Sequence, residues 1–130
     1  MFQEKQRSGF LSIKIDIKFY TNNKLDKVEN VNGLLDINKK VIKYTKNDEE
    51  VLINFKNTPI IKKEDNEKKI IISKEKIKVF IKDNGYDIIL PIKDYKYTID
   101  NNKIRIMYHI EDSKENKMIK IDIRRNKDAK

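Results

Sequence analysis

Apolar and polar side chains alternate along almost the whole chain, and this pattern restricts the fold more than any other feature. In the segment from Phe10 to Tyr20, Ile13, Ile15 and Ile17 point to one side, and polar or charged residues separate them. A period of two is that of a β-strand with one buried and one solvated face. Strands of this kind are typical of antiparallel rather than parallel sheets.

The amino-acid composition favours strands as well. The chain contains 23 isoleucines, six tyrosines and five phenylalanines, and β-branched and aromatic side chains pack well on a pleated surface. Alanine, the best helix former, occurs once, at Ala129. The sequence therefore predicts a sheet protein.

Alternating segments recur at intervals of roughly ten residues, with turn residues between them. The predicted strands cover residues 10–20, 31–37, 41–45, 51–55, 70–72, 77–81, 86–92, 95–99, 104–110 and 119–123. Because nearly every connection is short enough for a hairpin, we expect an all-β fold, a single antiparallel up-and-down β-barrel of about 8–10 short strands, with a β-sandwich as the alternative. One domain is expected to cover residues 1–130, with 1–8 and 125–130 flexible.

Local signals predict how the strands are connected. Asn22-Asn23 and Lys46–Glu49 are predicted turns, and Asp83-Asn84-Gly85 predicts a type I′ hairpin, because Asn-Gly tolerates positive φ angles. Gly33 is predicted to mark a bulge or a tight bend. Residues 62–69 are almost all charged or polar, and we expect them to form a mobile loop or a brief helical turn.

The net charge of +9 raises the question of nucleic-acid binding. Of the 30 basic residues, 26 are lysines and four are arginines, whereas recognition of phosphates and base edges favours the planar guanidinium group. Lysine, isoleucine and asparagine make up nearly half of the chain, and A/T-rich codons encode all three. A base-composition bias therefore explains the charge as a solvated lysine coat, and a nucleic-acid surface is the alternative.

The chain has no cysteine, which excludes disulfides and thiolate metal ligands. Its first residues lack the apolar stretch of a signal peptide, and no apolar segment approaches the length of a membrane span. We therefore expect a cytoplasmic protein that does not associate with a membrane.

Several stretches carry a resemblance to a known family. They are Ile13-x-Ile15-x-Ile17, Gly33-x-Leu35 with Ile42-x-Tyr44, the alternating run from Tyr97 to Ile110, and Ile119-x-Ile121-x-Ile123. In this order they resemble the YwiB-type proteins, a bacterial family of uncharacterised proteins with a calycin-like β-barrel. The resemblance covers most of the chain, although the middle looks shortened and richer in lysine. It implies a closed barrel of lipocalin-like shape and no assigned activity.

No set of residues has the spacing of a catalytic or metal site. His109 is the only histidine, and it lies on a predicted strand, where a half-exposed position without a catalytic role is the simpler interpretation. None of the serines lies in a Gly-x-Ser-x-Gly elbow. The acidic clusters Asp48-Glu49-Glu50 and Glu64-Asp65-Glu67 lack the spacing of a calcium loop. We therefore expect no enzyme activity, no metal and no cofactor.

The aromatic residues are the remaining candidates for binding. Phe80 lies between Lys78 and Lys82, as a base-stacking residue of a single-strand binding protein would, although core packing is the alternative for most of these rings. The candidate ligand-binding residues are Phe80, Tyr97, Tyr108 and His109.

Two functions of different classes follow from these features. The first is a non-enzymatic barrel that binds a small apolar ligand, because a barrel of this size is just wide enough to hold one. The second is a basic module that binds single-stranded nucleic acid or an acidic protein partner. A solidly packed interior would count against the first, and lysines spread over all faces would count against the second.

Overall fold

Ten β-strands form one antiparallel barrel, which closes where the first strand pairs with the last. The strands are β1 (Phe10–Thr21), β2 (Lys24–Asp36), β3 (Val41–Lys46), β4 (Glu49–Asn54), β5 (Ile60–Glu64), β6 (Lys68–Ile72), β7 (Lys76–Ile81), β8 (Tyr86–Asp100), β9 (Lys103–Ile110) and β10 (Asn116–Arg125). Each strand pairs with its neighbours in the sequence, so the predicted all-β, up-and-down barrel is confirmed.

The structure, a computed structural model, describes residues 10–125. The two segments predicted to be flexible, 1–8 and 125–130, lie outside this range except for Arg125, which is the last residue of β10.

Two tight turns are built from residue pairs in the left-handed conformation. Asn22 and Asn23, between β1 and β2, have φ angles of 50° and 69°, and Asn47 and Asp48, between β3 and β4, have 52° and 64°. Two successive positive φ angles define a type I′ turn, whose twist matches that of the flanking strands. The turns predicted at these positions are confirmed.

The hairpin between β7 and β8 is present, but its predicted turn type is wrong. The last pair of the ladder is Ile81 opposite Tyr86, which leaves a loop of four residues instead of two. Only Gly85 has a positive φ angle, 71°, and its N–H donates a hydrogen bond of 2.9 Å to the carbonyl oxygen of Ile81. The ladder ends at Ile81, so residues 82–85 all belong to the loop.

Residues 62–69 belong mostly to strands β5 and β6, so the prediction of a loop or helical turn there is wrong. Only residues 65–67 form a connection, in which the Asp65 carboxylate accepts hydrogen bonds from the N–H groups of Glu67 and Lys68. β2 likewise begins at Lys24, well before the predicted strand. Ladder pairing with β4, β7 and β1 makes these polar stretches strands, because strand preference depends on neighbours more than on the residue itself.

Gly33 in β2 marks a close approach of two strands rather than a bulge. A Cβ atom on this residue would lie 2.6 Å from the carbonyl oxygen of Lys43 and 2.9 Å from Cδ1 of Ile15. The irregularity in the β1–β2 ladder lies instead at Phe19 and Tyr20. The missing side chain at residue 33 is therefore what allows β3 to lie so close to β2.

The inner faces of β1, β9 and β10 form a closed apolar core. Their almost fully buried side chains are Ile13, Ile15, Ile17, Ile104, Ile106, Ile119, Ile121 and Ile123. Ile42, Ile53 and Ile61 continue this core along β3, β4 and β5. Full burial of one such side chain contributes roughly 1.5–3 kcal/mol, so this part of the barrel holds the fold together.

β8 is the longest strand, and each half of it has a different partner. Residues 86–91 pair with β7, and residues 92–100 pair with β9. In the first half, Tyr86, Ile88 and Leu90 lie opposite inward-pointing residues of β7 and therefore share the inner face, yet they are 67%, 48% and 37% exposed. The barrel thus has a packed region and a region where its apolar lining reaches solvent.

Candidate functional site

A row of side chains on the inner face connects the exposed part of β8 with the interior. The row crosses β3 to β8 and contains Tyr44, Val51, Lys63, Ile70, Val79 and Ile88. Ile70 and Val79 are half-buried, and Lys63 is the one charged member. We use the term open inner face for six apolar, inward side chains of β6, β7 and the first half of β8 that reach solvent, namely Ile70, Val79, Ile81, Tyr86, Ile88 and Leu90.

The ammonium group of Lys63 reaches across the interior to β1. Its Nζ lies 4.9 Å from the centroid of the Phe19 ring, and Nζ of Lys27 lies 5.9 Å from the same centroid. A cation over an aromatic face gains roughly 0.5–1 kcal/mol at exposed sites and more when desolvated. Lys63 forms no ion pair with any of residues 10–125.

Glu29 of β2 is a buried carboxylate beside these lysines, and it has partners for both of its oxygens. Nζ of Lys27 lies 2.9 Å from Oε2, and the Tyr44 hydroxyl donates to Oε1 at 3.4 Å. Burial pushes the pKa of the Glu29 carboxyl upward, but the Lys27 hydrogen bond and three lysine charges outweigh this effect and hold the pKa below its ordinary value. The other two charges belong to Lys63 and Lys46. Glu29 is therefore ionised at neutral pH.

The pKa of the Tyr44 hydroxyl is shifted in the opposite direction, upward. Burial raises its pKa above the ordinary value of 10.0, and the negative charge of Glu29 beside it raises the pKa further. The phenol therefore stays protonated at neutral pH and remains a hydrogen-bond donor to the carboxylate.

The three lysines whose charges act on Glu29 differ in their acidic neighbours. Lys27 pairs with Glu29, and Lys46 lies directly opposite Glu49 in the β3–β4 ladder. Within residues 10–125, Lys63 has no acidic counterpart of this kind, since its ladder neighbours are Val51 and Ile70. Because it is half-buried, its charge is less screened than that of a surface lysine and can attract an anion.

On the outer face, lysines and aliphatic residues alternate across neighbouring strands. One continuous row contains Leu34, Lys43, Leu52, Lys62, Ile71, Lys78 and Ile89. Lysine stems cover apolar surface while their ammonium groups stay in water, so this row is a solvated coat with aliphatic patches. A cleft of about 600 Å³ on this face is lined by acidic and basic side chains, among them Glu50, Glu64, Lys62 and Lys69. This mixture favours neither an anionic nor a cationic ligand.

Phe80 lies on the outer face of β7, and both lysines beside it are paired with carboxylates. Nζ of Lys82 lies 2.8 Å from Oε2 of Glu64, and Nζ of Lys78 lies 3.8 Å from Oδ2 of Asp87. The ring itself is half-buried. Because its flanking charges are balanced, this surface attracts a polyanion less than the Lys-x-Phe-x-Lys sequence indicates.

Tyr97 and Tyr108 both point inward but occupy different environments. Tyr97 of β8 lies opposite Ile106 and is exposed, whereas Tyr108 of β9 is buried in the core. Burial raises the pKa of the Tyr108 hydroxyl to about 12. Neither ring belongs to the open inner face, so the structure does not bring these two candidates together with Phe80.

His109 lies on the outer face of β9, next to Tyr108 in sequence but on the opposite side of the sheet. Its Nδ1 lies 3.0 Å from Oδ1 of Asn116. The cleft beside it, of about 310 Å³, is lined by Asp94, Lys96 and other residues but contains no serine or cysteine. The cleft lining therefore offers the imidazole no serine or cysteine nucleophile to activate.

Two residues of the acidic cluster Glu64-Asp65-Glu67 have structural partners. Glu64 pairs with Lys82, and the hydrogen bonds that Asp65 accepts in its turn hold the pKa of its carboxyl below the ordinary value. Within residues 10–125, no three His, Cys, Asp or Glu side chains converge as metal ligands would.

The sequence patterns do not group Phe19, Glu29 and Lys63 into one site. The position of the two charged residues in the apolar–polar alternation could have identified them. Lys63 lies two residues after the inward Ile61, and Glu29 lies two residues before the inward Val31. Because side chains two apart point to the same side of a strand, Lys63 and Glu29 are expected to point inward. Ionisable residues are rare at inward-pointing strand positions, so such a residue marks a candidate site.

Comparison of the chain with protein-family models, with curated proteins and with solved structures finds no match. In the part of the chain that the structure describes, no helix has the length and apolar character needed to cross a membrane.

Proposed function

We propose that this protein binds a small, mainly apolar ligand on the open inner face of the barrel and performs no chemistry on it. The observation that carries the proposal is the exposure of Tyr86, Ile88 and Leu90 on the inner face of β8, in contrast to the buried inward isoleucines of β1, β9 and β10. Inward apolar side chains that reach solvent are typical of ligand-binding clefts in β-barrels.

The dimensions of this face suit a small molecule. Lys63 and Ile88 are separated by three strand spacings, β5 to β8, which corresponds to roughly 14 Å at about 4.8 Å per strand. The side chains along this path, Ile70 and Val79, are aliphatic and half-buried. An apolar body on this path would remove their remaining surface from water, which stabilises the complex by roughly 25 cal/mol per Å² of buried apolar area.

The test is a fluorescence titration with N-phenyl-1-naphthylamine, an uncharged apolar probe, against two neighbouring variants. Ile88→Lys places a charge on the open inner face, and Ile89→Lys places the same charge on the outer face of the same strand. The two isoleucines are 48% and 51% exposed, so neither substitution disturbs a packed core. We expect Ile88→Lys to weaken binding at least tenfold and Ile89→Lys to leave it unchanged. Absence of binding to the unsubstituted protein, or an equal loss in both variants, would overturn the proposal.

A further inference from the structure

Lys63 lies beside the open inner face and forms no ion pair in the described part of the chain, which indicates the kind of ligand that the barrel takes. We infer that the ligand carries an anionic head group, which pairs with the Lys63 ammonium while an apolar tail lies along the open inner face. This inference rests on the proposed function, and it adds the ligand class and the residue that selects it.

The first argument is the state of Lys63 itself. The residue is half-buried, its Nζ lies over the Phe19 ring, and it has no ion pair among residues 10–125. Removing a cation from water without a counter-charge is costly. An anion delivered by the ligand would supply that counter-charge.

Glu29 is close enough to act on Lys63 electrostatically, but each of its carboxylate oxygens has a nearer partner. Lys27 lies 2.9 Å from one carboxylate oxygen, and the Tyr44 hydroxyl binds the other. The carboxylate therefore helps to hold the lysines in place and leaves the Lys63 charge available.

The second argument is the order of groups along the inner row. Lys63, Ile70, Val79 and Ile88 follow one another on adjacent strands, so a single cation stands at one end and solvent at the other. A molecule with a charged head and an apolar tail matches this order, whereas an uncharged molecule would leave the cation unpaired. Because Lys63 is the one cation of this row, it matches a head group with a single negative charge, such as a carboxylate.

The experiment compares three probes that share one tail, namely dodecanoate, dodecanol and dodecyltrimethylammonium. Each is titrated calorimetrically, below its micelle concentration, into the full chain. We expect dodecanoate to bind at least tenfold more tightly than dodecanol, and dodecyltrimethylammonium to bind most weakly. Lys63→Met should abolish the preference for dodecanoate while keeping dodecanol binding, because methionine retains the apolar stem. Lys63→Arg should keep the preference.

Lys62→Met is the matched control, since Lys62 is the preceding residue of β5 and points outward. It removes the same charge from the protein without touching the inner face and should leave all three affinities unchanged. Equal affinities for dodecanoate and dodecanol, or equal losses in the Lys62 and Lys63 variants, would overturn the head-group inference while leaving apolar binding intact. Failure of all three probes and of N-phenyl-1-naphthylamine to bind would overturn the proposed function as well.

Discussion

The hydroxyl of Tyr95 donates a hydrogen bond of 3.0 Å to the carbonyl oxygen of Pro59, 36 positions earlier in the chain. This bond joins β8 to the connection between β4 and β5. Pro59 is almost fully buried, and burial raises the pKa of the Tyr95 hydroxyl to about 12. The bond therefore lies in a region of low solvent access and fixes the second half of β8 against the opposite side of the barrel.

Tyr95→Phe should lower the free energy of unfolding by about 1 kcal/mol, because it leaves a buried carbonyl without this donor. Tyr97→Phe is the control, since Tyr97 is exposed on the same strand and should change stability by less than about 0.5 kcal/mol. Urea denaturation followed by circular dichroism measures both values. An equal change in the free energy of unfolding for the two variants would show that the hydrogen bond from Tyr95 does not stabilise the fold.

Glu29 should make stability depend on pH in the acid range. Its pKa in the folded protein lies below the ordinary value of 4.5, so its ionised form stabilises the fold at pH values above 4.5, and this contribution is lost as the pH falls through the folded-state pKa. Glu29→Gln should cost about 1–3 kcal/mol at pH 7, and the difference from the unsubstituted protein should shrink in denaturation curves recorded towards pH 3. Glu111→Gln, at an exposed site, should have almost no effect. A Glu29→Gln effect that does not change with pH would contradict the assignment.

Gly33→Ala should destabilise the barrel by about 1–3 kcal/mol, because the new Cβ would lie 2.6 Å from the carbonyl oxygen of Lys43 and the strands would have to separate. Gly85→Asn provides the comparison. Nothing lies within 4 Å of a Cβ at this position, and asparagine tolerates its positive φ angle, so the cost should stay below about 1 kcal/mol. Thermal unfolding of both variants measures which substitution destabilises the barrel more. A larger loss of stability for Gly85→Asn would contradict the close approach of strands at Gly33.

Two inward isoleucines should differ strongly in their contribution to stability. Ile106→Ala removes a side chain that is 1% exposed and should cost about 2–5 kcal/mol. Ile88→Ala, on the partly exposed open inner face, should cost less than about 1 kcal/mol. Chemical denaturation of the two variants measures the difference. A similar loss of unfolding free energy in both variants would mean that the first half of β8 is packed in solution as tightly as β9.

Most strands of the barrel could be predicted from the sequence, because the alternation that defines them is local. The exceptions were the polar segments. Residues 62–64 became strand because β4 and β6 pair with them, and a ladder partner is not visible in the segment itself. The candidate site could not be predicted either: Phe19, Glu29 and Lys63 belong to three strands, and they meet only through the register and curvature of the closed sheet.

The open inner face separates what the sequence determined from what the tertiary structure decided. By itself, the sequence determined which side chains of a strand share a face, because the pleat makes that a property of neighbouring residues; Ile88 and Ile106 are both inward in this sense. Only the tertiary structure decided that one is buried and the other is not. Burial depends on what lies around a face, and the first half of β8 pairs with β7 alone, whereas β9 is flanked by β8 and β10 within the packed core.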